Sequence, residues 1–528
     1  MKPVFNKCLE LGYFPNSWKS SAVKILKKPF KDDYSIPKSY RPICLSSNLG
    51  KIFERLILSE LTKFYSNSHI LHQSQHGFTA NKSTISALKE MVDTIIEHKA
   101  NFKVALLAVD ISGAFDNAWF PAMIKQLDQH DVPSPLIKII HSFLSDRKVI
   151  LSHSNKFCQK SISKGCPQGG IFSPLLWNVL LNEFLTNFNN NNAKPVAFAD
   201  DITFIIWSDN IHNLKTEIAY CFSQIHSWCN QVKLNISTSK TNILYLHNHE
   251  KLPVLLDNHL VQPSDNIKIL GVHISNHRRR NKLNFNHHVK HILQKGIRIK
   301  NALFAFCARR WGIDSHKRIV LLKAMLRPAL YYGAEIWFPH ITKSNIRKLD
   351  SLQYQIAVRC VHAYNSSPSS CVHLLARIPF FSDFLEAKCM RFNHGISPDL
   401  VDAFLSIKSS EYLENSNLTF KSFFSLGIPK HIVPNQYTTL FFTGHGPFNY
   451  FLNRIRSQTQ KPHQYCSCGV EETPLHLITD CVHTQHIIDQ FFLSTRSPRD
   501  YIGTKQNYIL FSQLCKHILN SLSYRPLS

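Results

Sequence analysis

Two aspartates set between two apolar runs are the feature that most constrains this chain. Residues 196–206 read VAFADDITFII, the pattern of two strands joined by a tight turn at Asp200 and Asp201. A second apolar run, VALLAVD at 104–110, predicts a buried strand that ends at Asp110. Acidic side chains at strand ends do not stabilise a sheet, and when clustered they repel one another unless a cation lies between them.

Such carboxylates are the ligands of a two-metal phosphoryl-transfer site. Two divalent ions about 3.5–4 Å apart can share them and hold the attacking and leaving oxygens. Magnesium suits hard oxygen ligands and completes its shell with the phosphates of the substrate. For the Asp-Asp pair alone, a solvated acidic turn is the alternative. The metal site is favoured because the pair is preceded by VDISGAFD (109–116) and GCPQGGIFSPLLWN (165–178), a much rarer combination.

The charge of the chain points to a polyanionic partner. Lys and Arg number 61 against 35 Asp and Glu, a formal charge of +26 over 528 residues. Nucleic acid is the usual partner, because each neutralised phosphate releases counterions; a basic protein without such a partner is the alternative. The sequence contains no signal-peptide pattern and no apolar stretch of about 18 residues, so we expect no membrane span and a location in the nucleus and cytoplasm. The 14 cysteines are mostly single, which suits a reducing compartment.

Local patterns predict the other elements coarsely. Residues 1–105 read as helices broken by basic loops, with Asn48 as a candidate helix cap. Residues 276–350 are strongly basic and largely helical by pattern, and NSSPSS at 365–370 is predicted to be a linker. Further helices are predicted at 120–148, 174–187 and 209–232, and further strands at 242–246 and 267–275.

The motifs of this chain resemble those of the reverse transcriptases of non-LTR (LINE-type) retrotransposons. The similarity runs from about residue 12 to about residue 360. FADD alone is a common string, but the ordered set is specific. The matching segments are SYRPICLSSNLGKIFERL (39–56), QHGFTANKST (75–84), LAVDISGAFDNAW (107–119), KGCPQGGIFSPLLWN (164–178), FADD (198–201), KLNISTSKTNIL (233–244) and LGV (270–272).

The resemblance implies an RNA-directed DNA polymerase and assigns its catalytic residues. Asp110 and Asp200 would hold two Mg²⁺ ions, with Asp201 in support and the carbonyl of Ile111 as a further ligand. The substrates would be an RNA template, a DNA primer or target DNA, and dNTPs. Phe115 would lie under the sugar and exclude a 2′-hydroxyl; from spacing alone, a core phenylalanine is the alternative.

Further positions are carried over from the same motifs. Gln168 and Gly169 lie in the Pro-Gln-Gly segment, where glycines let a template or nucleotide approach the backbone; a simple glycine-rich turn is the alternative. Arg41 would contact the triphosphate, with a structural salt bridge as the alternative. Lys240 lies where the family carries a lysine near the incoming nucleotide. His76–Phe78 would shape a loop on the template side.

The basic stretch 276–350 falls where the family has its thumb. Only Asp314, Glu335 and Asp350 oppose its many Lys and Arg residues, an imbalance too one-sided for simple pairing along helices. A solvated charged face is the alternative. We expect the stretch to follow the backbone of a template–primer duplex in a salt-sensitive way.

A late cluster, CSCGVEETPLHLITDC at 466–481, offers Cys466, Cys468, His476 and Cys481. Three thiolates and an imidazole suit a closed, structural, tetrahedral zinc site, although the first spacing is tighter than usual. Unrelated cysteines with a chance histidine are the alternative. With TGHGPFNYFLNRI (443–455) before it, the cluster resembles the C-terminal cysteine-rich segment of the same retrotransposons, which implies zinc and a role in handling RNA or target DNA.

The resemblance implies an α/β fold of the right-hand polymerase type. We expect fingers at 1–105, a palm with an antiparallel sheet and the catalytic motifs at 106–275, and a thumb at 276–364. A helical connector at 365–440 and a cysteine-rich zinc module with a helical tail at 441–528 would follow.

The sequence leaves two alternatives to an active retrotransposon polymerase. The chain is expected to lack the N-terminal endonuclease and the ribonuclease H of some relatives, and its start is consistent with truncation of a longer element protein. A catalytically inactive, truncated, retroelement-derived nucleic-acid-binding protein is therefore the alternative to an active polymerase. The C-terminal cluster argues against a third reading, a group II intron maturase.

Overall fold

The structure, a computed structural model, forms two compact units, Met1–Asn284 and Phe285–Ser528. It describes residues 2–29, 32–68, 70–153, 156–166, 169–247, 252–276, 283–306, 313–455, 463–492 and 497–523.

The first unit mixes helices and strands. Its helices are α1 (Lys2–Leu11), α2 (Asn16–Lys19), α3 (Asn48–Ser68), α4 (Thr84–Lys99), α5 (Ala114–Asn117), α6 (Phe120–Gln129), α7 (Ser134–Leu144), α8 (Ser173–Asn187) and α9 (Ile211–Gln231). Its strands are β1 (Ser20–Lys27), β2 (Tyr40–Leu45), β3 (Lys103–Asp110), β4 (Arg147–His153), β5 (Lys156–Ile162), β6 (Ala193–Phe198), β7 (Asp201–Ser208), β8 (Asn242–Tyr245), β9 (Val254–Leu256), β10 (His259–Val261), β11 (Asn266–Ile269) and β12 (Val272–Ser275).

An antiparallel sheet of order β6-β7-β3-β8, here called the central sheet, holds the core of this unit. The predicted hairpin is confirmed, because β6 pairs with β7 up to Phe198 opposite Asp201. Strand β3 reads as a continuous apolar run because helices α4 and α9 pack on the sheet, and its residues 104–107 have no exposed surface. Buried central strands have this composition, which is why the sequence revealed β3 so clearly.

A second sheet, of order β2-β1-β4-β5 and here called the N-terminal sheet, corrects two expectations. Residues 1–105 contain strands β1 and β2 as well as helices, and the helix predicted over 120–148 is two helices followed by β4. Strand β1 pairs in parallel with β4, with Ser20 opposite Lys148. Pairing between segments so distant in the chain leaves little local signal in the sequence.

Two smaller predictions are also corrected. The single strand expected over 267–275 is a hairpin of β11 and β12, because Leu270 and Gly271 take φ values of 45° and 86°. Two consecutive left-handed residues form the turn that joins tightly paired strands. Helix α3 includes Asn48 rather than being capped by it, and the hydroxyl of Ser47 accepts from the Gly50 amide at 3.5 Å.

The second unit is helical in the part that the structure describes. Its helices are α10 (Asn286–Phe306), α11 (Ser315–Leu330), α12 (Ala334–Trp337), α13 (Lys343–Cys360), α14 (Ser369–Ala376), α15 (Phe381–His394), α16 (Pro398–Glu414), α17 (Leu418–Phe424), α18 (Thr438–Thr443), α19 (Asn449–Ile455), α20 (Pro474–Thr479), α21 (Val482–Ile488) and α22 (Lys505–Ser523). Helix α10 packs on α11 and α13, and α13 packs on α14 and α15.

The predicted linker at 365–370 is packed against this unit. Ser367 is buried, and its carbonyl accepts from the Tyr354 hydroxyl at 2.6 Å. The predicted divisions into fingers and palm, and into thumb, connector and zinc module, stay predictions. Among the described helices, none has both the length and the apolar character that crossing a membrane requires.

Candidate active site and candidate metal centre

The three predicted catalytic aspartates come together at one end of the central sheet. Strand β3 ends at Asp110, strand β7 begins at Asp201, and these two residues are direct partners in the antiparallel register. Directly opposed residues of neighbouring strands place their side chains on the same face. Asp200 occupies the turn between β6 and β7, after Ala199, whose φ is 57°.

The carboxylates of this cluster repel one another electrostatically. Burial raises the pKa of Asp200, and the nearby Asp110 carboxylate adds to the rise. The pKa of Asp201 is also raised, first by loss of solvation and then by Asp200 and Asp110. Lys240 opposes the effect: its Nζ lies 2.9 Å from Asp110 Oδ2 and lowers the pKa of Asp200. The cluster therefore concentrates negative charge that a cation would stabilise.

The loop that carries Lys240 also anchors the end of β3. The Ser237 amide donates to the Asp110 carbonyl at 2.8 Å, and the Ser112 amide donates to the Asn235 carbonyl at 2.8 Å. Ile111 is buried between these bonds and forms an antiparallel bridge with Ile236. The structure thus places Ile111 and Lys240 beside the aspartate cluster, and their predicted roles stay predictions.

Phe115 lies five residues beyond Asp110, on the short helix α5. Its ring stacks on Trp177 with centroids 5.4 Å apart, and Trp177 is fully buried. The ring of Phe78 meets its edge at 6.3 Å, and Phe78 itself is 59% exposed with a φ of 55°. Phe115 is therefore packed against a fully buried side chain.

The Pro-Gln-Gly segment is only partly described, and Gln168 lies outside the described residues. Gly169 has a φ of 108°, and a Cβ at this position would lie 2.8 Å from the Cys44 carbonyl oxygen of β2. A side chain is therefore excluded by close approach as well as by conformation. Next to it, the buried Glu54 carboxylate accepts from the Ile171 amide at 2.6 Å.

Sequence reasoning missed Glu54. Burial raises its pKa, while the Ile171 amide and the Arg147 guanidinium favour the charged form. Arg147 is itself buried and donates to the Phe143 carbonyl at 3.2 Å. A signal was present, because Glu54 follows Phe53 on a helix whose buried face continues at Ile57 and Leu61. An acid on the apolar face of a helix indicates a specific partner.

No described contact brings Arg41 to the aspartates. A cavity of about 460 Å³ lies between the N-terminal sheet and Asp116, and Pro42 and Cys44 line it together with Lys160 and Lys164. Because side chains alternate along a strand, Arg41 points to the other face of β2. Its predicted contact with a triphosphate stays a prediction.

The four residues of the cysteine cluster converge in the second unit. Their ligand atoms all lie within 4.8 Å of one another, with Cys466 Sγ 3.6 Å from Cys481 Sγ and Cys468 Sγ 3.1 Å from His476 Nε2. Among the described residues, this is the one set of His, Cys, Asp or Glu ligand atoms that converges so closely; the three aspartates are more open.

Local structure explains how the cluster forms. The Cys466 amide bonds to the Val470 carbonyl at 2.7 Å, and Gly469, with a φ of 89°, closes the turn that holds both first cysteines. His476 lies on α20, and the Cys481 amide bonds back to the His476 carbonyl at 3.0 Å. The four side chains are buried or half-buried. Soft ligands in this number fit tetrahedral zinc.

Comparison with known proteins finds a family and several relatives that this chain resembles. Residues 25–274 match the family described as reverse transcriptase (RNA-dependent DNA polymerase). The chain is 29% identical over 63% of its length to the Retrovirus-related Pol polyprotein from type-1 retrotransposable element R1 of Bradysia coprophila. It is 28% identical over 66% to the RNA-directed DNA polymerase from mobile element jockey of Drosophila melanogaster, and 28% identical over 67% to the probable RNA-directed DNA polymerase from transposon X-element of the same species.

These matches cover only part of each relative. The chain spans 33%, 38% and 39% of their lengths, respectively. The matched family region contains the central sheet and all three aspartates, and its fold is the right-hand polymerase fold of mixed α and β content. Residues 25–274 therefore carry a reverse transcriptase domain, and the chain is similar to the polymerases of the non-LTR retrotransposons R1, jockey and X-element.

Proposed function

We propose that this chain is an RNA-directed DNA polymerase that extends a primer on an RNA template. The observation that carries the proposal is the register of the central sheet, which pairs Asp110 with Asp201 and sets Asp200 at the adjoining turn. In the reaction, the primer 3′ oxygen forms a bond to the α-phosphate of a dNTP, and pyrophosphate leaves. Catalysis of this kind depends on positioning and on neutralising charge.

We also propose that Asp110 and Asp200 hold two Mg²⁺ ions, with Asp201 in a supporting role. The three carboxylates fit magnesium because they are hard oxygen ligands. The pKa values of Asp200 and Asp201 are raised, and Asp110 pairs with the ammonium group of Lys240, so the cluster favours a bound cation. Bound magnesium would supply neutralisation of the charge that develops on the phosphoryl oxygens. Lys240, which contacts Asp110 in this structure, would then be free to meet the phosphates of the incoming nucleotide.

The remaining residues would shape the substrate pocket. Phe115 stacks on the fully buried Trp177, which would support its ring beneath a ribose so that it excludes a 2′-hydroxyl. The close approach of Gly169 to β2 would place backbone, rather than a side chain, beside the template or nucleotide. We keep Ile111, Gln168 and Arg41 as further candidate contacts.

For the second unit we propose nucleic-acid binding and a structural zinc ion. The basic helices within 286–348 would follow the template–primer duplex, which predicts a steep fall of affinity with salt. Cys466, Cys468, His476 and Cys481 would hold zinc and tie helices α20 and α21 to the preceding turn. Such a protein would work in the cytoplasm and the nucleus, where template RNA and target DNA occur.

Primer extension tests the main proposal. Wild-type protein should incorporate dTTP on poly(A)·oligo(dT) with Mg²⁺, and Asp200→Ala should abolish incorporation. Asp209→Ala is a matched control, because Asp209 is an exposed acid just beyond the other end of the same hairpin. If folded wild-type protein binds the template yet incorporates no more than Asp200→Ala, the chain is a binding protein and the polymerase proposal fails.

A further inference from the structure

The segment before α4 lies beside the tip of the catalytic hairpin. The Ala197 amide of β6 donates to the Ser74 carbonyl at 2.9 Å, and the His76 amide donates to the Ala197 carbonyl at 2.8 Å. Gln75 and Ala197 thereby form a parallel bridge at the edge of the central sheet. The chain passes within reach of the turn that carries Asp200.

The Gln75 side chain forms a hydrogen bond with the backbone of that turn. Gln75 is 2% exposed, and its Oε1 accepts from the Ala199 amide at 3.2 Å and from the Gly77 amide at 2.9 Å. Both partners are donors, so the orientation of the amide group is fixed. Ala199 is buried and has a left-handed φ of 57°, a conformation that an alanine adopts only when its surroundings impose it.

Gly77 makes this contact possible. A Cβ at Gly77 would lie 2.2 Å from the Ala199 nitrogen and 2.9 Å from the Phe198 carbonyl carbon. No side chain fits in that space, so the backbone of the segment packs directly on the backbone of the turn. The Gly77 carbonyl accepts from Asn178 Nδ2 at 2.8 Å, which ties the same point to α8.

His76, between Gln75 and Gly77, anchors the same segment to α4. The two ring nitrogens of His76 lie 2.8 Å from Ser86 Oγ and 2.6 Å from Glu90 Oε2, both on α4. Glu90 also pairs with Lys194 of β6 at 2.8 Å. Although burial opposes it, the bonds from His76 and Lys194 lower the pKa of Glu90 to about 2. Helix α4 therefore holds the segment firmly.

We propose that Gln75 is a positioning residue that sets the conformation of Ala199 and, through it, the place of the Asp200 carboxylate. The inference rests on the proposed polymerase function for its catalytic consequence. Gln75 touches neither substrate nor metal in this account. It acts by satisfying a buried amide that would otherwise lose its partner and by holding the strained residue directly before Asp200.

Substitution of Gln75 with a matched control tests this role. Gln75→Met removes the acceptor with little change in length, and Gln75→Glu keeps acceptor oxygens. Gln126→Met is the control, because Gln126 is 3% exposed in α6 of the same unit and donates to Gln129. If Gln75→Met does not fold, the shorter Gln75→Asn carries the same comparison.

Two readouts are expected to change together. Amide exchange in the peptide covering 197–203 should rise about 10-fold in Gln75→Met and return towards wild type in Gln75→Glu. At saturating dTTP, kcat should fall up to about 100-fold in Gln75→Met, with template–primer affinity unchanged, because a small misplacement of a reacting group has this effect.

The control separates positioning from mere stability. Gln126→Met should shift the melting temperature comparably while leaving exchange at 197–203 and kcat within about twofold of wild type. Unchanged exchange in Gln75→Met, or an equal loss of kcat in Gln126→Met, would overturn the proposal. If wild-type protein has no polymerase activity, the proposed function fails, and the exchange arm alone then decides whether Gln75 holds the turn.

Discussion

The acidic cluster of the first unit and the cysteine cluster of the second offer metals opposite environments. The acidic cluster presents three carboxylates at one turn and two strand ends, with raised pKa values at Asp200 and Asp201. The cysteine cluster presents three sulfurs and one imidazole nitrogen within 4.8 Å of one another. Hard oxygens left partly open suit magnesium and substrate phosphates, whereas a closed soft set suits zinc.

The difference teaches what each site contributes to folding. Crowded carboxylates oppose folding until positive charge arrives, so a mutation there should remove activity without loss of stability. Zinc ligands contribute to folding directly, because the free energy of metal binding becomes free energy of folding. Activity and stability should therefore respond in opposite ways at the two sites.

The largest effect is expected from Asp200→Asn. Primer extension should fall by on the order of 10³-fold or more, because a charged ligand at the reacting phosphate is lost. The metal-free melting temperature should stay equal or rise, since a half-buried carboxylate repelled by its neighbours is removed. Activity assays paired with calorimetry check both. A large loss of stability would break the contrast between the two sites.

The next largest effect is expected from Phe115→Val. This variant tests whether the acidic site selects its substrate as well as binding metal. A smaller side chain would leave room for a 2′-hydroxyl, so discrimination against ribonucleotides should fall by roughly 100-fold. The ratio of kcat/KM for dTTP and UTP measures it. Phe64→Val, a half-buried phenylalanine on α3, is a suitable control. Unchanged discrimination would return Phe115 to a simple core role.

Cys481→Ser tests the contribution of the cysteine cluster to stability. The protein should lose about one zinc per chain, and melting of the second unit should fall by roughly 10 °C. Cys371→Ser is the control, because Cys371 is buried in the same unit but outside the cluster. Extension on a preformed template–primer should change far less than in Asp200→Asn. The zinc proposal would be contradicted if wild-type protein purified in the presence of zinc contained none, or if Cys481→Ser melted at the wild-type temperature.

The smallest effect expected is the pH dependence of stability. The folded pKa values of Asp200 and Asp201 lie above their ordinary value of about 3.9, so the folded state binds protons more tightly. This contribution to stability is present at low pH and is lost as pH rises through the raised values. Magnesium should therefore raise the melting temperature by a few degrees at pH 7 and have little effect near pH 4. An equal shift in Asp200→Asn would contradict this.

Much of the acidic site was predictable from the sequence because its signal is local. Two apolar runs around FADD predict the hairpin, and the run before Asp110 predicts its partner strand. The cysteine cluster was likewise visible in residue type and spacing. In both cases the residues that matter have distinctive side-chain chemistry, which the sequence displays directly.

The rest was hidden because it depends on distant pairing. Strands β1 and β4 join across more than a hundred residues, and neither segment has a strong pattern of its own. Gln75 lies in a loop and has no distinctive side-chain chemistry. Its hydrogen bond with the Ala199 amide exists only after the sheet has formed. The face of β2 on which Arg41 lies likewise depends on how that strand sits in the N-terminal sheet, which local sequence does not reveal.

Metal-directed backbone cleavage tests the central claim most directly. Zinc-loaded protein treated with Fe²⁺, ascorbate and hydrogen peroxide should be cut near residues 110 and 200, because iron in place of magnesium reduces the peroxide to hydroxyl radical beside its own ligands. Added Mg²⁺ should suppress both cuts, and Asp200→Asn should remove them. Cleavage elsewhere in the chain, or cuts at these positions that persist in Asp200→Asn, would contradict a metal site built from Asp110, Asp200 and Asp201.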